Sequence, residues 1–94
     1  MNPWLKNHRD AILSTAGKYG ARNVRVFGSM AREDYRQDSD VDLLVEFESG
    51  RSLLDLVGMT MDLHDALGPR FDVVTEGSLH RLIRDRVLQE AVPL

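Results

Sequence analysis

The chain contains no cysteine, which excludes disulfides, zinc–thiolate sites and thiol chemistry, and makes a reducing cytoplasm its expected setting. No apolar run approaches the ~20 residues that a bilayer-crossing helix needs. The opening stretch, Met1-Asn2-Pro3-Trp4-Leu5-Lys6-Asn7-His8-Arg9-Asp10, lacks the apolar centre of a signal peptide. Basic residues are not in excess: 12 Lys and Arg stand against 15 Asp and Glu, giving a net charge of −3. A domain that grips nucleic acid through a broad basic face is therefore not expected, nor is a membrane partner. Repeats, low-complexity tracts and linker-like stretches are also missing. What is there is 94 residues, 43% hydrophobic and 29% charged, which read as one globular domain spanning 1–94.

Apolar periodicity divides the chain into alternating helices and strands. Residues from about Pro3 to Tyr19 read as one helix with Trp4, Leu5, Ile12 and Leu13 on one side and Gly20 as its stop. Val24–Phe27 is a short strand, and Gly28–Arg32 begins a brief helix that runs into the polar loop 33–39. Val41–Phe47 is the clearest strand, apolar enough to be buried on both faces. Ser52 and Asp55 form a capping-box variant ahead of a helix carrying Leu53, Leu56, Val57, Met61, Leu63 and Leu67, which stops at Gly68-Pro69. Within it, the stripe Leu56, Val57, Met59, Met61 and Leu63 is expected to be core, with some of it available to face a partner. Phe71–Thr75 is a third strand, and Ser78 is placed to cap a last helix through about Ala91. The order αβαβαβα predicts an α/β sandwich of two or three layers on a small sheet.

Two segments carry chemistry. The strand ending at Phe27 runs into Gly28-Ser29, and after the spacer 30–39 the next strand opens with Asp40-Val41-Asp42. Side chains alternate along a strand, so Asp40 and Asp42 share one face. Paired carboxylates repel unless a cation relieves them, and hard oxygen ligands suit Mg²⁺. Gly28 allows close approach of a phosphate, and the amides that open the following helix can receive its charge. Ser29 could bond a terminal phosphate and Arg32, one turn on, could face the same group. Asp72, on the third strand, could join Asp40 and Asp42. Three carboxylates around two ions ~3.5–4 Å apart is an arrangement used for in-line displacement at phosphorus. Asp72 could also take the proton of an attacking hydroxyl as general base.

Other readings fail on spacing. Asp38-Ser39-Asp40-Val41-Asp42 looks like the start of a calcium loop, but the positions that need Gly and Glu hold Leu43 and Ser49. No Gly-x-x-x-x-Gly-Lys-Ser/Thr phosphate loop exists. His8, His64 and His80 do not cluster and read as surface or helix-edge residues.

Gly28, Ser29, the spacer and Asp40-x-Asp42, with Asp72 as a third acid, resemble the signature of the minimal nucleotidyltransferases (MNT type) of the polymerase-beta-like superfamily. Ala31-Arg32 and Ser39-Asp40-Val41-Asp42-Leu43-Leu44-Val45 fit the same pattern, and the resemblance covers nearly the whole chain. It implies that fold, α/β (α+β), with a small mixed sheet of about three strands flanked by helices. Members commonly serve as the antitoxin of a type VII-like HEPN/MNT toxin–antitoxin pair. The resemblance therefore implies Mg²⁺-dependent transfer of AMP from ATP to a tyrosine of a HEPN ribonuclease. In that scheme Asp40 and Asp42 hold two Mg²⁺, Asp72 binds one and activates the tyrosine, and Gly28-Ser29 hold the triphosphate. The Arg-x(4–6)-His pattern usual in HEPN toxins is missing, so this chain is expected to be the partner and not the ribonuclease. Two alternatives remain: an antitoxin that silences its toxin by binding alone, and transfer to a small molecule. The second is disfavoured because 94 residues leave no helical domain for such an acceptor.

Overall fold

Residues 2–94 are described by a computed structural model in which helices and strands alternate as the patterning demands. In chain order they are helices α1 (Pro3–Asn7) and α2 (Arg9–Lys18), strand β1 (Ala21–Phe27), short helix α3 (Ser29–Arg32) and strand β2 (Val41–Phe47). Helix α4 (Leu53–Leu67), strand β3 (Phe71–Thr75), a 3-10 turn at Glu76–Ser78, helix α5 (Arg81–Glu90) and strand β4 (Val92–Pro93) complete the chain. The sheet runs β3-β2-β1-β4, with β2 and β3 parallel across the α4 crossover and the other two pairings antiparallel.

Helices lie on both faces, so the sandwich has three unequal layers. Val26, Val41, Leu43, Val45, Phe71 and Val73 point into the main core, which α1, α2 and α4 close with Leu5, Ile12, Met59 and Leu63. The opposite face carries a smaller cluster, where Leu44 meets Leu79 and Val87 with Phe27 and Val74 packed beside them. Burial of β2 on both faces follows, since Val41, Leu43, Leu44 and Val45 are all buried. Gly20 stops α2 at φ 75, a left-handed value that a side chain would resist. The capping box also stands: the Asp55 carboxylate accepts from the Ser52 amide and the Ser52 hydroxyl accepts from the Leu54 amide.

Four expectations are corrected. The helix read over Pro3–Tyr19 is two helices, because the backbone leaves helical geometry at His8, whose amide and imidazole Nδ1 both bond the Trp4 carbonyl. The last helix starts at Arg81, not Ser78. His80 caps it through Nδ1, while the Ser78 hydroxyl closes the turn back onto Thr75. A fourth strand follows it, with Pro93 at the sheet edge where its missing N–H costs nothing. Finally, α4 buries only one stripe. Met59 and Leu63 are fully enclosed, whereas Val57 and Met61 point away from the sheet.

A bulge in β1 sets the register at the site. Pairing passes from Arg22↔Glu46 to Arg25↔Leu44, so one extra residue is inserted in β1, and Asn23 takes up φ 50 there. The insertion keeps Ala21, Val24 and Val26 on one face, and it brings Phe27 opposite Asp42.

The α4 geometry makes a stability forecast. Leu63→Ala empties a fully buried site and should cost about 2–5 kcal/mol. Met61→Ala, at a residue 59% exposed, should stay within about 0.5 kcal/mol of wild type. Urea unfolding of both variants measures the difference, and equal losses would contradict the helix's orientation.

Candidate active site

Parallel pairing of β2 with β3 decides where the acids stand. The register pairs Val41 with Phe71, Asp42 with Asp72 and Leu43 with Val73. The odd-numbered positions enter the main core. Asp42 and Asp72 therefore lie side by side on the α5 face, at the end where both strands begin. Asp40, two residues before Asp42, precedes β2 in line with the same face. Phe27 flanks Asp42 on the side away from Asp72.

None of the three carboxylates accepts a hydrogen bond or forms an ion pair among the described residues. Asp42 is half-buried, and its carboxyl is pushed above the ordinary carboxylate range. Burial is the largest cause, the Asp72 charge comes next, then that of Asp40, while Arg32 opposes them. A half-buried acid with acidic neighbours and no donor is unfavourable by itself. Such groups are what a bound cation relieves.

The glycine–serine turn closes over this pair. Gly28 sits at φ 73, and a Cβ at that position would lie 2.4 Å from Asp42 Oδ2. Only a residue without a side chain lets the turn come so close. Ser29 begins α3, and its hydroxyl has no partner among the described residues, so it stays free for a ligand. Arg32 is engaged at both ends: Nε donates to Asp34 at 3.2 Å and Nη1 to Glu90 at 2.9 Å. Glu90 also accepts from the Gly28 amide at 3.0 Å. A cleft of about 240 Å³ opens here between α3 and α5, lined by Phe27, Gly28, Arg32, Ile83, Arg86 and Glu90.

The structure thus brings Asp42, Asp72, Gly28 and Ser29 to one end of one face, with Asp40 beside them. Arg32, expected to face the same phosphates, is bonded to Asp34 and Glu90. Sequence reasoning missed Glu90, which lies in no motif. Its only trace is arithmetic: once β4 pairs Val92 with Val26, position 90 falls opposite Gly28.

Among the described residues no three acidic or histidine side chains are gathered closely enough to hold a metal by themselves. The donor set nevertheless fits a hard divalent cation. Mg²⁺ keeps several waters and is bound through one or two carboxylates together with substrate phosphates, and Asp42 with Asp72 supplies that pair. Asp40 would be the third.

The raised Asp42 carboxyl has a sign that can be tested. The folded chain binds this proton more tightly than the unfolded chain does. The stabilisation is therefore complete at acid pH and lost as pH rises through the raised value. Asp42→Asn should raise the melting temperature of the metal-free protein at neutral pH, and this advantage should vanish at acid pH. Added Mg²⁺ should raise the wild-type melting temperature and leave the variant unmoved. A variant that melts lower at neutral pH would contradict the electrostatic account.

Comparison with known proteins identifies the family. The profile of the nucleotidyltransferase domain matches residues 5–94. The chain is 43% identical over 75 residues to protein adenylyltransferase MntA of Thermococcus cleftensis, covering 80% of this chain and 76% of that one. A solved structure described as a candidate minimal nucleotidyltransferase superposes with a TM-score of 0.82 at 50% identity, covering 96% of this chain and 92% of that one. A toxin–antitoxin crystal structure with AMP-PNP gives a TM-score of 0.73 over 89% of this chain and 69% of that one; at 17% identity it supports the fold alone. A sheet that sets two acids side by side under a glycine–serine turn, matched along almost its whole length, places this chain in the nucleotidyltransferase domain family, among the minimal nucleotidyltransferases.

Proposed function

We propose that the chain is the antitoxin of a HEPN/MNT pair and transfers AMP from ATP to a tyrosine of its ribonuclease partner, in the cytoplasm. The observation that carries the reading is the in-register pair Asp42–Asp72 beneath Gly28-Ser29, acids without donors next to a turn that admits a phosphate. Support for the protein acceptor comes from the protein adenylyltransferase name of the relative.

The chemistry asks little covalent work of the protein. The tyrosine oxygen attacks the α-phosphorus of ATP, an O–P bond forms, the bond to the bridging oxygen breaks, and pyrophosphate leaves. Two Mg²⁺, when bound at Asp40, Asp42 and Asp72, would supply charge neutralisation on the phosphates. Asp72 is exposed at the rim of the pair, where it can meet an incoming hydroxyl and take its proton. Gly28 and the Ser29 hydroxyl receive the triphosphate, and Arg32 lies one turn away as a cation. Asp42, the most buried of the three acids, fixes the position of the others' charge.

The test is intact-mass spectrometry of a HEPN partner incubated with this chain, ATP and Mg²⁺. AMP-sized mass increments are expected, lost with Asp42→Asn and with Asp72→Asn. Gly28→Ala should fall at least about a hundredfold in rate, since a Cβ there displaces the carboxylate and positioning errors of this size cost about that much. A partner silenced without any increment, by wild type and Asp42→Asn alike, would replace catalysis with neutralisation by binding.

A further inference from the structure

The donors that the glycine–serine turn offers to an anion are partly taken by a carboxylate of the same chain. Glu90 Oε1 accepts from the Gly28 amide at 3.0 Å and from Arg32 Nη1 at 2.9 Å. The Glu90 side chain is 17% exposed, and Arg86 lies one turn back along α5 with Nε 4.0 Å from the other oxygen. This meeting follows from the topology. Strand β4 pairs antiparallel with β1 at Arg25↔Pro93 and Val26↔Val92, so Glu90 faces Gly28 in continuing register. There α5 is still helical, its backbone cannot extend the ladder, and the side chain supplies the acceptor instead.

We propose that Glu90 is a positioning residue for nucleotide binding, pinning the Gly28 turn and the Arg32 guanidinium to the C-terminal helix. The proposal rests on the nucleotidyl-transfer reading above and adds a component outside its motif. Gly28 is held where its missing side chain accommodates Asp42, at a φ of 73 open to glycine. Arg32 is held through both edges, by Asp34 and Glu90, which leaves Nη2 without a partner among the described residues and removes much of the freedom of a long side chain. A guanidinium fixed in this way loses less entropy when a phosphate arrives. A carboxylate that merely occupied the phosphate seat would oppose binding, so the two roles differ in sign.

The experiment measures binding of Mg²⁺ with a non-hydrolysable ATP analogue by calorimetry, with no acceptor present, for wild type, Glu90→Ala, Glu90→Gln, Arg32→Ala and the Glu90→Ala/Arg32→Ala double variant. Hydrogen exchange of the Gly28 amide is followed by NMR in the nucleotide-free proteins. Glu90→Ala should weaken binding about tenfold, the scale of one charge-assisted hydrogen bond. Glu90→Gln keeps an acceptor for the Gly28 amide and should recover most of the exchange protection, with an intermediate affinity. The double variant should bind no more than about threefold worse than the weaker single one, because Glu90 acts through Arg32. Unchanged or tighter binding in Glu90→Ala, unchanged Gly28 exchange, or losses that simply multiply would each overturn the proposal. If Glu90→Ala does not fold, wild-type affinity in Glu90→Gln does the same. Wild type that fails to bind the nucleotide while Glu90→Ala still frees the Gly28 amide would sink the transfer reading and leave the tether as a structural one.

Discussion

Everything at this site depends on one pairing, the parallel alignment of Val41–Phe47 with Phe71–Thr75 that sets Asp42 beside Asp72. The alignment is fixed by the apolar residues between the acids. Val41, Leu43, Phe71 and Val73 must all enter the main core, and a slip of one position in either strand would turn that strand's pair outward. Core burial therefore forces two carboxylates together that electrostatics would separate. The cost is visible in the upward push on Asp42.

The rest of the architecture serves that pairing from three directions. The bulge at Asn23 inserts one residue in β1, so that Phe27 rather than Val26 stands opposite Asp42, with Gly28 next along the chain. The absent side chain of Gly28 lets the turn settle onto the carboxylate. From the far end of the chain, α5 covers the same face through Leu79 and Val87 and delivers Glu90 to the Gly28 amide. The larger core lies on the opposite face, with α4 providing the crossover between the parallel strands β2 and β3.

Legibility was uneven for physical reasons. Alternation and caps are local, so the three longer strands, the Ser52–Asp55 box and the Gly20 and Gly68 stops could be read from a few neighbouring residues. The break at His8 could not, because it depends on which groups the Trp4 carbonyl accepts. Strand β4 is two residues long and ends in proline, too short for any period to show. The apolar stripe of α4 was over-read: five hydrophobic positions spread around the helix, and only the sheet beneath decides that Met59 and Leu63 face inward.

By itself the sequence determined the chemistry available: a glycine–serine turn, acids at spacing two on one strand face, and a third acid on a later strand, since these follow from the period of an extended chain. The nucleotidyltransferase domain match, over residues 5–94, spans all of them. Tertiary structure alone decided that Asp72 stands beside Asp42 and that Arg32 is held by Glu90. Those facts depend on strand order, on a one-residue bulge and on where a helix ends 62 residues after the glycine it touches. No local pattern encodes them, because each is settled by which buried faces must meet.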